Sequence, residues 1–112
     1  MKRFILVLVL LGVVASFGFA NDTFYIRNDT GSYIFYYIYV SDARSSEWGD
    51  DLLGRDILRP GEIFAVRTLV PIESTTWDIR VIDEDGDTYT IMRRNITAGE
   101  TIYISLAYLD LD

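Results

Sequence analysis

The chain contains no cysteine and no histidine, only two prolines, and a single lysine, at position 2. Without cysteine there is no disulfide to staple a small domain and no thiolate nucleophile. A lipid-modified N-terminus is excluded as well, because that modification needs a cysteine at the cut. Without histidine there is no Ser-His or Cys-His pair and no imidazole metal site. Beyond Lys2 no amine remains for a Schiff base. Carboxylates, hydroxyls, tyrosines and arginines are left to carry any chemistry.

The one lysine belongs to a distinctive start. Lys2 and Arg3 precede an uncharged, almost wholly apolar run from Phe4 to Phe17, and Gly18 and Ala20 place small residues at positions −3 and −1 of a cut before Asn21. These parts read as a cleavable secretory signal peptide over 1–20. The alternative is a membrane anchor, but a spanning helix needs about 20 apolar residues, and this run of about 17 is interrupted by Gly12, Ser16 and Gly18. No later stretch approaches that length, so no integral membrane segment is expected after cleavage. The product is then exported, either periplasmic or secreted.

Cleavage leaves eight arginines against 17 acids, a net charge of −9 compared with −7 for the whole chain. Such a surface repels nucleic acid and anionic lipid; it favours basic proteins and divalent cations. The mature stretch, residues 21–112, has 92 residues, enough for one domain that buries a little over 60% of its unfolded surface. Its stability must come from packing, above all of its many aromatics.

From Phe24 onward the pattern has period two, the mark of half-buried strands. Phe24 and Ile26 alternate with Tyr25 and Arg27 before a turn at Asn28–Gly31. Ser32–Val40 is apolar in both phases and reads as a long central strand, its tyrosine face either buried under a second layer, which the apolar other face favours, or a partner surface. Glu62–Leu69 places Phe64, Val66 and Thr68 on one face. Trp77, Ile79 and Val81 are set inward, Asp85-Gly86 makes a tight hairpin, and Tyr89 and Ile91 return on the next strand. Ile102, Ile104 and Leu106 form the last inward face, and Asp110–Asp112 an exposed tail. A short echo links Pro60-Gly61-Glu62 to Ala98-Gly99-Glu100, each a Gly-Glu turn leading into a strand. The class predicted is all-β, a small antiparallel β-sandwich or barrel-like fold of about six to seven strands.

Residues 41–61 break the alternation. At about 20 residues this loop is long for a compact domain, a length associated with function or disorder. Trp48, Leu52, Leu53, Ile57 and Leu58 favour an ordered loop with one helical turn at Asp50–Leu53. Trp48 is expected to cover an open end of the sandwich, with Leu52 and Leu53 dropped onto the sheet.

Two acidic groups are the candidate cation ligands: Asp83, Asp85 and Asp87 around Gly86, and Asp50 and Asp51 with Asp56 in the loop. Calcium takes several oxygens on a bent backbone, but the spacing departs from an EF-hand loop, and solvated acids beside an Asp-Gly hairpin explain the first group as well. A shared site arises only if the two groups meet. A carboxylate pair also suffices for a glycosidase, yet 17 acids make some close pair inevitable. Trp48, Asp50, Asp51, Leu52 and Leu53 are the candidate interaction residues, Trp48 either packing the loop or meeting a partner. Asn28-Asp29-Thr30 and Asn95-Ile96-Thr97 match the glycosylation sequon, which has meaning only in a eukaryotic host.

The stretches Ser46-Glu47-Trp48-Gly49-Asp50-Asp51-Leu52-Leu53-Gly54, Pro60-Gly61-Glu62 and Trp77–Asp87 together resemble a group of small exported bacterial β-domain proteins. Those proteins combine a Trp-Gly-x-Asp-Leu-Leu-Gly loop, a Pro-Gly turn and an Asp-Ile-Arg strand. The likeness spans about residues 22–105 and implies an exported bacterial β-domain without implying an activity. Cysteines expected to flank the Asp-Ile-Arg strand in that group have no counterpart here, so no disulfide carries over. The expectation is a non-enzymatic exported domain acting through protein contacts, with a partner that suits an acidic surface. A calcium- or ligand-binding module and a carboxylate-based glycosidase-like enzyme are the alternatives; oligomeric state is left open.

Overall fold

A computed structural model describes residues 22–111. The expected leader over 1–20 therefore lies outside the described residues. Six strands form in chain order: β1 (Thr23–Asn28), β2 (Phe35–Asp42), β3 (Ile63–Arg67), β4 (Trp77–Asp83), β5 (Thr88–Arg94) and β6 (Thr101–Ile104). They build two three-stranded sheets, ordered β3-β1-β6 and β2-β4-β5. The second sheet is antiparallel throughout, whereas in the first β6 runs parallel to β1. Only β4–β5 is a hairpin, and every other connection switches sheets. This alternation is why the connections are long.

The period-two pattern meets in one core. Phe24, Ile26, Phe64, Val66, Ile102 and Ile104 face Phe35, Ile38, Ile79, Val81, Tyr89 and Ile91 across the two layers. Leu53, Leu58, Ile72 and Ile96 reach in from the connections. Phe35 and Tyr89 meet with ring centroids 5.4 Å apart at 54°, a tilted contact of the kind aromatic pairs prefer. The Trp77 indole lies in the core and donates its Nε1–H to Ile72 O at 2.8 Å, which removes the penalty for burying that donor.

The echo in the sequence is one turn used twice. Gly61 and Gly99 stand at φ of +87° and +83°, the left-handed region that glycine occupies without a Cβ clash. The Glu62 carboxylate accepts from Arg59 N, and that of Glu100 from Thr97 N, both at 2.8 Å. Gly61 N donates to Asn28 O and Gly99 N to Thr23 O. The two turns thus launch β3 and β6 from opposite ends of β1.

Several expectations are corrected. β2 is an edge strand, and it begins at Phe35 rather than Ser32. A bulge between Phe35 and Tyr37 puts both Phe35 and Ile38 in the core and leaves Tyr36 and Tyr37 exposed. The tyrosine face is therefore not covered by a second layer. The loop covers the free edge of β2 instead. Phe35 and Leu58 exchange backbone bonds at 2.9 Å, and Leu52 N donates to Ile38 O at 2.8 Å. The opposite edge is covered by the C-terminal segment: Leu109 bridges Tyr89, Asp110 N bonds Thr88 O, and the Asp110 carboxylate accepts from Thr88 and Thr90. Asp110 is thus docked and not a free tail. Covered edges hide the unpaired amides that would otherwise recruit another strand. Leu106 leaves the alternation for a 3-10 turn at Leu106–Tyr108 and is exposed.

Asn28 ties the end of β1 to the connections that flank β2. Its fully buried amide donates to Tyr33 O at 2.7 Å and Leu58 O at 2.9 Å, and its Oδ1 accepts from Thr30 N and Thr30 Oγ1. The sequon residue is therefore a structural joint closed to modification.

Candidate functional site

Asp83 begins the first acidic group and is buried. Its Oδ1 accepts from Asp85 N at 2.9 Å and Asp87 N at 3.0 Å, and its Oδ2 from the Tyr89 hydroxyl at 2.8 Å. Burial, reinforced by the bond to Asp83 and that carboxylate's charge, raises the Tyr89 phenol well above its ordinary range. Asp85 and Asp87 are exposed. Oxygens of the three acids lie within 4.8 Å of one another, the one such acidic trio among the described residues. The hairpin explains much of this convergence, because an Asp side chain that caps the amides two and four residues on holds the turn closed.

The loop acids do not join them. Asp51 Oδ1 accepts from Ile38 N at 2.9 Å and Leu53 N at 3.0 Å, while its Oδ2 accepts from Gly54 N at 2.8 Å. No helical turn forms at Asp50–Leu53, because the Asp51 carboxylate collects these amides and makes a bend pinned to β2. Leu53 is thereby driven fully into the core, whereas Leu52 and Asp50 stay exposed. Of the five interaction candidates, Leu53 and Asp51 are structural, and Asp50 and Leu52 remain at the surface.

Trp48 does not close an end of the sandwich. The turn after β2 carries it back over the outer face of β4. Ala43 N bonds Thr76 O, Asp42 Oδ1 accepts from Arg44 N, and Ser45 Oγ both accepts from Glu47 N and donates to Glu47 O. The Arg44 guanidinium, 2.6 Å from Asp42 Oδ2, holds the Asp42 carboxyl well below the usual carboxylate range. Trp48 is half-buried, with the Arg80 guanidinium 5.0 Å over its ring. Arg80 is tethered through Nε to Thr90 Oγ1 at 3.2 Å. Tyr37 and Tyr39, one strand over, lie nearly parallel with centroids 6.4 Å apart. Met92 completes this face from β5, more than half exposed.

Below Trp48 is a pocket of about 120 Å³, lined by Ser41, Ser45, Ser46, Glu47, Trp48, Asp78 and Met92. It sits at a second bulge. Trp77 pairs with Arg94 but Ile79 with Ile91, so Met92 and Arg93 together oppose Asp78. Arg93 takes a φ of +52°, uncommon for a side-chain-bearing residue, and turns its N–H onto Asp78 Oδ1 at 2.7 Å. Asp78 is only 6% exposed. Asp83 and Asp78 are the two buried carboxylates among the described residues; Asp83 has both oxygens engaged, but Asp78 has only Oδ1.

An apolar cleft of about 320 Å³ opens between the ends of β2 and β3, walled by Val40, Leu52, Val66, Leu69, Val70 and Trp77. Sequence reasoning named neither this cleft nor the Asp78 pocket. The one available hint was the lapse of alternation at Ile91-Met92-Arg93-Arg94. No helix among the described residues is long and apolar enough to cross a membrane. No protein-family model matches the chain, and neither a curated protein nor a solved structure does.

Proposed function

We propose that the protein is exported by removal of residues 1–20 and works without catalysis, as a protein-interaction module of a bacterial envelope or exterior. The observation that carries this reading is the outer face of the β2-β4-β5 sheet. Both edges of that sheet are covered, yet its outer face leaves Tyr36, Tyr37 and Met92 exposed beside Trp48 and Arg80. Tyrosine, tryptophan, methionine and arginine are the residues enriched where proteins meet. The resemblance of the loop and strand motifs to a group of exported β-domains supports the export part of this reading and implies no activity. The loop holds the face in place, because Asp51 and Leu53 anchor the segment that delivers Trp48.

A capture experiment tests it. Purified exported protein, immobilised, is expected to retain a protein from native periplasmic or medium fractions that a Tyr37→Ser/Met92→Ser variant loses while keeping its urea midpoint. Equal capture by both proteins refutes the reading. A calcium-binding reading has the Asp83, Asp85 and Asp87 oxygens in its favour, but Asp83 brings no uncommitted oxygen to a cation.

A further inference from the structure

Asp78 is nearly buried, yet the protein bonds only one of its two carboxylate oxygens. Oδ1 has the Arg93 amide; Oδ2 has no hydrogen-bond partner among the described residues and is not sealed from water, and no arginine side chain stands within ion-pairing distance. The charge is on the wall of a pocket that holds one more carboxylate, Glu47, at its exposed rim, together with three serines. Trp48 and Met92 supply the apolar walls. Arg80 is not among the lining residues, and its Nε is held by Thr90. A carboxylate oxygen open to a small aromatic-walled pocket is the complement of a cationic group on an apolar stem.

We infer that this pocket receives a lysine side chain from the protein partner, its ammonium on Asp78 Oδ2 and its methylenes against Trp48 and Met92. The inference rests on reading this face as an interaction surface and names what the surface recognises. Lysine is favoured over arginine by the geometry of Asp78. A guanidinium binds a carboxylate best through two parallel bonds, and one of these would have to share Oδ1 with the Arg93 amide. An ammonium is a point donor that needs a single oxygen, and its other two hydrogens can reach Glu47 or a serine hydroxyl. A hard divalent cation takes six or more oxygens, and here an indole and a thioether occupy the walls. A second copy of the domain is excluded as the source, because the only lysine of the chain is Lys2 in the leader. The net charge of −9 after cleavage draws a basic partner to the protein and speeds its encounter.

The test is an NMR titration of the isotopically labelled exported protein with Nα-acetyl-lysine methylamide, with the arginine and norleucine analogues and calcium chloride as separate arms. The expected result is saturable shifts of the Trp48 indole N–H and the Arg93 amide with the lysine probe. The arginine probe is expected to bind about tenfold more weakly, and the norleucine probe to produce no shift. Asp78→Asn keeps an oxygen for Arg93 N but loses the charge, and should weaken the lysine probe about tenfold or more. Should that variant fail to fold, Glu47→Gln at the exposed rim serves, with about threefold weaker binding expected. No shift with the lysine probe, equal binding of the arginine or norleucine probe, undiminished binding by folded Asp78→Asn, or the same shifts with calcium alone would each overturn the inference. The two readings fail separately. A lysine probe that does not bind, beside a partner still lost on Tyr37→Ser/Met92→Ser, refutes the lysine pocket and leaves the interaction face standing.

Discussion

Replacing Asn28 should weaken the whole domain, and the choice of replacement should set a pH dependence. The side chain is fully buried and makes four hydrogen bonds, two given to Tyr33 O and Leu58 O and two accepted from Thr30. Truncation in Asn28→Ala leaves each carbonyl a second donor, since Thr30 Oγ1 also reaches Tyr33 O and Phe35 N also reaches Leu58 O. The orphan is Thr30 N. With both carbonyls still served, the uncompensated loss is the stranded Thr30 amide, and the cost is about 1–3 kcal/mol. Asn28→Asp preserves shape and the Thr30 bonds but turns a carboxylate oxygen toward two carbonyls at under 3 Å. A buried, repelled charge costs about 3–5 kcal/mol, most of a total stability of about 5–10 kcal/mol for a domain of this size. The introduced carboxyl has a raised pKa in the folded state, so the stability it retains is greatest below its unfolded value near 4 and is lost as pH rises. Urea melts followed by tryptophan fluorescence at pH 7 and pH 4 measure the gap from the parent at each pH. The gap should be larger for Asn28→Asp than for Asn28→Ala at pH 7 and should shrink at pH 4. Parent-like midpoints for both variants, or a gap for Asn28→Asp that does not change with pH, would refute the joint assigned to this residue.

Three further outcomes are expected. Tyr89→Phe leaves Asp83 Oδ2 without its donor and should cost about 1.5–3 kcal/mol in urea unfolding. Because the Tyr89 phenol is raised in the fold, first by burial and then by Asp83, the stability it contributes is present below the ordinary phenol pKa near 10 and is lost as pH rises beyond it. Its phenolate absorbance should therefore appear only together with loss of near-ultraviolet circular dichroism, a coupled step that Tyr89→Phe abolishes. Trp48→Ala removes a half-buried ring outside the core and should lower stability by about 1 kcal/mol, a urea-midpoint shift of about 1 M; a loss near 4 kcal/mol would return Trp48 to the core. Millimolar calcium should move the thermal midpoint by less than about 2 °C, whereas a rise of about 5 °C, equivalent to about 1 kcal/mol, would favour a cation site at Asp83–Asp87.

The strands were legible because one buried face per strand leaves a period of two. Phe24/Ile26, Phe64/Val66, Ile79/Val81, Tyr89/Ile91 and Ile102/Ile104 all lie where alternation puts them. β2 defeated the same reasoning for a physical reason. A strand apolar in both phases carries no record of a bulge, so the slip between Phe35 and Tyr37 left no trace and the tyrosines seemed destined for burial. Strand order was equally hidden, since the bonds that cover the edge of β2 come from Leu52 and Leu58 in a loop without periodicity. The loop was legible as ordered from its apolar residues, but its shape depends on one Asp51 carboxylate gathering three amides, and composition does not report such geometry.

The candidate site shows the same division more sharply. Trp48 stood out in the sequence because tryptophan is rare and large, and Asp50, Asp51 and the Asp83–Asp87 run because acids cluster there. Asp78 did not, since between Trp77 and Ile79 it reads as one more outward position on a strand. What distinguishes it is a bulge on the neighbouring strand, where Met92 and Arg93 share one place in the ladder. That bulge turns the Arg93 amide onto the Asp78 side chain and sets Met92 at the pocket wall. Bulges re-aim side chains without altering the apolar count, so the lapse at Met92-Arg93-Arg94 is their only sign in a single sequence. The acids that look like a site are those the backbone uses to close its own turns. The acid with an oxygen to spare lies beneath a tryptophan, at a kink that a neighbouring strand imposes.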